Sequence, residues 1–314
     1  MAIPAPFLSM LRCPATRQVL TEDQGWLVGP QGAQRYAVDE LGIPLFAETL
    51  CSDDALRQQQ HYDRIAEAYL ANLGYPHTQE YMAYLDRAFL DVVDEASLGQ
   101  VAELCCGNGE AFHLLGQRVC LGIGVDISKA MLTSARKNLP DPRYFFLQGD
   151  ATNLPLEDAQ FDSVFILGGI HHVNNRAGLF QSIHRILKPG GKFYWREPVD
   201  DFWLWRALRA IVYRVSNTLD DETEHPLRYA ATARDLAQSG LQLQCWRTFG
   251  FLGYCLLMNS DVLVLNRLFR FVPGIRRLTR MMVAMDDWSV RLPGMSRYGL
   301  IVVGMAQKPA DAAC

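Results

Sequence analysis

The sequence lacks any run approaching the roughly 18 apolar residues that a membrane-spanning helix needs, although 49% of its 314 residues are hydrophobic. It reads as a globular chain with material for one large core and a small appendage. A basic surplus is also missing: 30 Lys and Arg against 34 Asp and Glu leave a formal net charge of −4. Neutralising a nucleic-acid backbone needs the opposite balance, so DNA is not expected as a partner and RNA is disfavoured. No CxxC pair occurs among the eight cysteines, Cys13, Cys51, Cys105, Cys106, Cys120, Cys245, Cys255 and Cys314. No metal site is expected from them, and thiols in apolar surroundings read as reduced, in a cytoplasmic protein. The opening MAIPAPFLSMLRCP has no charged region followed by a long apolar one, so no secretory signal is expected. Internal repeats and low-complexity tracts are absent.

What is present falls into three regions. Up to about residue 50, short apolar pieces (FLSML, WLVG, QRYAV, GIPLF) alternate with Gly and Pro, which predicts a small β-rich module over residues 1–52. From Asp53 to Val93, apolar residues recur every three or four positions through HYDRIAEAYLANLG and EYMAYLDRAFLDVV, the spacing of amphipathic helices. From Val101 the rhythm becomes strand, turn, helix. VAELCC, LGIGVDI, YFFLQGD, FDSVFIL and KFYWREP alternate with AFHLLGQRV, SKAMLTSARKNL and GLFQSIHRILK. That alternation predicts βαβ units and a doubly wound α/β sheet. LQLQCWRTF and YGLIVVGMAQK add two further strands, for seven in all. Two insertions, about 199–235 and 251–297, are rich in Leu, Phe, Trp and Met and are expected to fold as a helical lid.

The sharpest local signal is Glu103-Leu-Cys-Cys-Gly107-Asn-Gly109, between a strand and a helix. Glycines at such a turn let the backbone approach a nucleotide-like ligand closely. A nicotinamide dinucleotide would prefer GxGxxG. With Gly107 as the second glycine the first position is Cys105, and with Gly107 as the first the third is Phe112, so neither register is complete, which disfavours an oxidoreductase. Leu121-Gly-Ile-Gly-Val-Asp126 ends a strand in a carboxylate suited to accepting both hydroxyls of a ribose, with Ile127 beside it, at the edge where ligands bind. Gly149-Asp150-Ala151 ends another: Asp150 suits the exocyclic amine of adenine, and Ala151 keeps the ring pocket small. A fourth strand runs through Leu167 into Gly-Gly-Ile-His171-His172, and Leu187-Lys-Pro-Gly-Gly191 forms a turn before the fifth. Read singly, each piece has a plain alternative: turn glycines, Asp126 as the N-cap of SKAMLTSARKNL, Asp150 as a turn cap.

Taken in order, ELCCGNG, GVDIS, GDATNLPLEDAQFDSV, GGIHHV and LKPGGKF resemble class I S-adenosylmethionine-dependent methyltransferases, especially the ubiquinone/menaquinone-biosynthesis-like group, over roughly residues 60–198. The resemblance implies a Rossmann-like seven-stranded sheet and S-adenosylmethionine as cofactor. It implies Glu103, Cys105, Gly107 and Gly109 around the methionine end, Asp126 at the ribose, and Asp150 with Ala151 at the adenine. Cys105 departs from the family's usual glycine. HYDRIAEAYL, carrying Tyr62 and Tyr69, resembles the helix that folds over the cofactor. Residues 53–314 would form this domain. Leu11-Arg-Cys-Pro14, with the stretch from Tyr36 to Phe46, is similar to a small zinc-ribbon-like family of methyltransferase activators. Its CPxC signature is here Cys13-Pro-Ala-Thr16, and one thiol cannot make a tetrahedral site, so the module is expected to be metal-free and to dock or shape the pocket.

S-adenosylmethionine carries its own activated methyl group, so the protein's task is mainly to align an acceptor and exclude water. A base is needed only where the acceptor loses a proton. His171 and His172, just past the fourth strand, are the candidates, with His172 preferred. The alternative is that one caps the strand and the other packs under the lid. Arg196 and Glu197 at the end of the fifth strand, with Trp203, Phe251 and Tyr254 in the lid, are candidates for the substrate pocket. Such a lining suits a small apolar acceptor, quinone-, polyketide- or terpenoid-like, methylated at oxygen or carbon. A strand-end ion pair and a lid core are the plain alternatives. Arg267, Arg270, Arg276, Arg277 and Arg280 crowd RLFRFVPGIRRLTR. A solvated helix face is the default there, with peripheral contact to anionic lipid, or a hold on a substrate phosphate, as alternatives. Two other readings of the whole chain are methylation of RNA or protein and a scaffold that binds cofactor without turnover.

Overall fold

The structure is a computed structural model that describes residues 2–49, 51–206, 225–258 and 266–310. The chain opens with a short helix, α1 (Ala5–Leu8), and a three-stranded antiparallel sheet of β1 (Thr21–Asp23), β2 (Trp26–Val28) and β3 (Arg35–Ala37). FLSML was expected as a strand-like piece. It belongs instead to the α1 turn, because Pro6 sits in a first helical turn where its missing N–H costs nothing. Two helices follow, α2 (Asp53–Leu73) and α3 (Pro76–Leu90). Then come β4 (Gln100–Leu104), α4 (Glu110–Leu115), β5 (Leu121–Asp126), α5 (Lys129–Asn138), β6 (Tyr144–Gln148), β7 (Phe161–Leu167), α6 (Arg176–Ile186) and β8 (Leu187–Pro198). The last third carries α7 (Tyr229–Gln238), β9 (Gln242–Phe249), the cap helices α8 (Leu252–Leu257), α9 (Asn266–Phe269) and α10 (Ile275–Val290), and β10 (Ile301–Gln307). The middle of the first lid insertion, 207–224, lies outside the described residues.

The large sheet has the order β6-β5-β4-β7-β8-β10-β9, with β10 antiparallel to both neighbours and the rest parallel. Its central strands are covered on both faces, which is why they read as near-continuous apolar runs: Val101, Ala102, Leu104, Ile123, Val125, Val164 and Ile166 are fully buried. LKPGG does not form a separate turn. It is the first stretch of β8, where the pairing with β7 shifts register between Phe161 and Ser163. A Cβ at Gly304 would stand 2.1 Å from the Trp195 ring, so that glycine makes room for the largest fully buried side chain. Ser52, Ser128 and Asn175 cap α2, α5 and α6 by accepting the N–H groups of Ala55, Met131 and Gly178.

The N-terminal module packs onto the edge at β6. Phe7 stacks on Phe145 at 5.0 Å, and Leu45 pairs in parallel with Gln148. Ile3, Phe7, Leu11 and Tyr36 share one apolar cluster with Phe145, Leu147 and Leu156. Cys13 lies buried there with its Sγ 3.2 Å from the Tyr36 hydroxyl. Among the described residues, no helix is long and apolar enough to cross a membrane.

Candidate active site

Chain order reverses between β4 and β7, and a cavity of about 410 Å³ opens at the C-terminal ends of these strands. β4 leads into a loop shaped by three left-handed residues: Cys105 (φ 49°), Gly107 (φ 49°) and Gly109 (φ 79°), the last being the N-cap of α4. Glycine takes this conformation freely, whereas at Cys105 it costs on the order of 1 kcal/mol. The loop presents the Gly107 N–H to Oδ2 of Asp126 at 2.7 Å, and the Ser128 N–H donates to Oδ1 at 2.8 Å. Ser128, not Asp126, is the N-cap of α5, so the carboxylate at the end of β5 stays on the cavity wall. Burial pushes the Asp126 carboxyl up, against the pull of these N–H donors. Burial and the nearby Asp126, Glu197 and Asp150 push the Cys105 thiol well above its ordinary range, which leaves it protonated and unreactive.

Asp150 also reaches the wall, but its acceptor positions are in use. Oδ2 accepts the N–H and hydroxyl of Ser52 at 3.0 and 2.7 Å; Oδ1 accepts the N–H and hydroxyl of Thr152 at 2.8 and 2.7 Å. Burial works to raise this carboxyl, yet the four donors outweigh it and hold Asp150 below the ordinary aspartate value. The start of α2 is thereby tied to the end of β6. Glu103 does not line the cavity. It is buried and accepts the N–H groups of Ala111 (2.7 Å) and Phe112 (3.3 Å) at the start of α4. Burial pushes its carboxyl up to about 8.

The two histidines have different surroundings. His172 lines the cavity. His171 turns its Nδ1 to Oε2 of Glu197 at 2.7 Å, and its ring lies 3.8 Å from that of His172. Glu197 is fully buried, and its Oε1 also takes the N–H groups of Gly169 and Ile170 at 2.6 and 2.8 Å. One carboxylate therefore holds both the turn after β7 and the His171 ring.

Of the residues singled out from sequence, the cavity wall gathers Cys105, Gly107, Asp126, Ile127, Asp150, Ala151, Leu167 and His172. It does not gather Arg196, Glu197, Trp203, Phe251 or Tyr254 among the described residues. Trp203 is largely exposed, while Phe251 packs on Phe202 and Tyr254 on Tyr81 of α3. Tyr62 and Tyr69 fall within α2, their side chains outside the described residues. Arg196 is buried between Asp86 (2.7 Å) and Glu110 and carries those two carboxylates to the wall. Sequence reasoning expected α2 over the cofactor but missed the residues of α2 and α3 that line the wall: Asp54, Gln58, Gln79, Met82 and Asp86. A signal existed, since Gln79, Met82 and Asp86 recur at helical spacing beside the buried Tyr81, Leu85 and Phe89.

Five carboxylates line the cavity, Asp54, Asp86, Glu110, Asp126 and Asp150, with no Lys or Arg among the described lining residues. Such a wall repels a pyrophosphate and favours a ligand that carries positive charge. Residues 102–195 match the family described as "Methyltransferase domain". This segment of the chain is similar to a methyltransferase domain. The matched family implies S-adenosylmethionine as the cofactor, whose sulfonium and ammonium groups suit the acidic wall. The chain is 37% identical over 97 residues to a 2-phytyl-1,4-naphtoquinone methyltransferase of Nostoc punctiforme, covering 29% of this chain and 42% of that protein. It thus spans less than half the length of that relative. It is 27% identical over 179 residues to a demethylmenaquinone methyltransferase of Lactiplantibacillus plantarum, covering 50% of this chain and 76% of that protein. The fold is shared with a solved S-adenosylmethionine-dependent methyltransferase of Thermotoga maritima, with a TM-score of 0.52, 19% identity, and coverage of 79% of this chain and 98% of the other.

Proposed function

We propose that the protein transfers a methyl group from S-adenosylmethionine to a small, largely apolar acceptor of quinone type, at carbon or oxygen. The observation that carries this reading is the acidic cavity, free of Lys and Arg among its described lining, at the switch point of the methyltransferase domain. The acceptor class is supported by the names of the Nostoc and Lactiplantibacillus relatives. When bound, S-adenosylmethionine supplies a methyl group already activated on a positive sulfonium.

Asp126 binds the ribose hydroxyls; each of its oxygens keeps acceptor capacity beyond the one N–H it takes. Ile127, Ala151 and Leu167 form the apolar wall for the adenine ring. Glu103 shapes the loop through the start of α4, where Cys105, Gly107 and Gly109 let the backbone approach the methionine end. Asp86 and Glu110, held by Arg196, bias the site toward positive charge. His172 takes the acceptor's proton, and His171, fixed by Glu197, positions it. On this reading residues 1–52 shape the pocket, since Ser52 holds Asp150, and residues 53–314 form the catalytic domain, with lid insertions about 199–235 and 251–297.

Calorimetric titration with S-adenosylhomocysteine, with NADH as a control, tests the cofactor site. Labelled methyl transfer to a demethylated naphthoquinone then tests the acceptor. Micromolar binding of the homocysteine compound alone, followed by a labelled quinone, is the expected outcome. Binding of NADH alone would overturn the cofactor assignment, and label appearing in RNA but not in quinone would overturn the acceptor.

A further inference from the structure

Helix α10 has two distinct faces. One is inward: Ile275, Thr279, Asp286 and Val290 are buried where the helix packs on α3 and α8. The other is exposed. Leu278, Met281, Met285 and Trp288 recur every three or four residues and so form one narrow stripe, with Met281 70% and Trp288 63% exposed. Phe271, 68% exposed, and Val272 precede the stripe, and Leu292 continues it. Isolated apolar residues on a surface need no explanation, but a contiguous stripe of this kind marks a contact.

The charge around it is as one-sided as the stripe. Between residues 270 and 297 stand Arg270, Arg276, Arg277, Arg280, Arg291 and Arg297, and the acids there are Asp287 and the buried Asp286. Glu80 lies 3.7 and 3.6 Å from Arg276 and Arg280, and Asp287 pairs with Arg291 at 2.7 Å. The arginines still outnumber the exposed acids, in a chain of net charge −4. At 100° per residue, Arg277, Arg280 and Arg291 fall along one border of the stripe.

We propose that this face of the cap docks on a membrane surface bearing anionic lipids. The apolar stripe enters the headgroup boundary, and the arginines engage lipid phosphates. A second copy of the chain is the weaker occupant, because a two-fold contact through this face would set arginines against arginines. The consequence for the cavity is direct. Arg276 donates to the side chain of Gln79 at 3.0 Å, and Gln79 on α3 lines the cavity. Docking would therefore set α10 between the bilayer and the cavity's α3 wall, one helix away from the lipid surface. The docking inference stands on the cap alone and does not require the methyl-transfer reading.

The test is flotation of the full chain with phosphatidylcholine vesicles, with and without phosphatidylglycerol, at low and high salt. The expected result is capture by the anionic vesicles that weakens with salt. A Met281→Glu/Trp288→Glu double variant should lose at least about tenfold in partitioning. An Arg277→Glu/Arg280→Glu variant should lose the preference for anionic over neutral vesicles. Both variants change exposed positions, and unchanged melting and S-adenosylhomocysteine binding would show that the fold is intact. Capture by neither vesicle type, or equal capture of the variants and the parent, would overturn the proposal. So would a concentration-dependent dimer that the glutamate variants dissociate, which would assign the face to a second copy.

Discussion

Replacing Asp286 by Ala should loosen the cap from the cavity wall, and the structure sets the size of the effect. Asp286 is buried; its Oδ2 accepts the Tyr81 hydroxyl at 2.5 Å and the Tyr254 N–H at 2.9 Å, and its Oδ1 accepts the Gly253 N–H at 2.9 Å. Two of these donors are N–H groups in the first turn of α8, where the helix itself supplies no acceptor. The third comes from α3, whose Gln79, Met82 and Asp86 line the cavity. The substitution strands three buried donors at about 1–3 kcal/mol each, and water entering the vacated space recovers part, so a net loss of about 3–5 kcal/mol is expected. Tyr81→Phe alone removes one bond to a carboxylate and should cost about 1.5–3 kcal/mol. In the Asp286→Ala background the same change should cost less than about 1 kcal/mol, because its partner is already gone. Burial and the Asp286 charge push the Tyr81 phenol far above its ordinary range, so it remains a donor across the accessible pH range. Urea denaturation of the four proteins measures the cycle, and hydrogen exchange over residues 252–257 shows whether the cap opens first. A loss below about 1 kcal/mol for Asp286→Ala, or strict additivity with Tyr81→Phe, would refute the reasoning.

Three further outcomes follow from the same contacts. Gly304→Ala places a methyl group 2.1 Å from the buried Trp195 ring and should destabilise the fold by about 2–3 kcal/mol, read by thermal denaturation; an unchanged melting temperature would contradict the packing. Glu103 is raised from an ordinary 4.5 to about 8, so the folded state holds its proton more tightly than the unfolded one. The stability this contributes is complete below the unfolded value and is lost as pH rises from about 4.5 through 8. Glu103→Gln should flatten that slope in denaturation measured across this window, and an unaltered slope would remove Glu103 as its source. Glu197→Gln keeps the side chain's shape but weakens its hold on His171 and the turn after β7. Turnover should fall about tenfold or more with a shifted pH–rate profile and little change in cofactor affinity, and a parallel loss of affinity would point to a structural role instead.

The strands, the loop after β4 and the acids ending β5 and β6 were legible from sequence because their signals are local. Apolar runs report burial on both sheet faces, and a glycine reports a turn within a few residues. The short helix at Ala5–Leu8 was misread since a few apolar residues carry no decisive period. LKPGG was read as a turn because Pro and Gly usually punctuate. Its Leu187 pairs with Phe161 of β7, and Gly190 and Gly191 exchange backbone hydrogen bonds with Lys308, more than a hundred residues on.

The chemistry of the cavity was legible only in part, and the remainder depends on distance along the chain. Asp86 and Glu110 meet at Arg196 across 110 and 86 residues, and Tyr81 meets Asp286 across 205. No pattern of nearby residues encodes such meetings. The sequence placed two adjacent histidines at the right edge, and the buried Glu197, 26 residues on, decided that His171 turns to the carboxylate while His172 stays on the wall. It likewise marked an arginine-rich segment, whereas the exposed stripe beside those arginines emerged only once α10 had buried its opposite face on α3 and α8. Periodicity and turn chemistry therefore determined the sheet and its ligand edge from the sequence alone, while the cofactor came from the resemblance of the ordered motifs. The neighbours of each buried charge, and the side of each helix left to solvent, were decided by tertiary packing, because burial and charge pairing are properties of residues brought together, whatever their order in the chain.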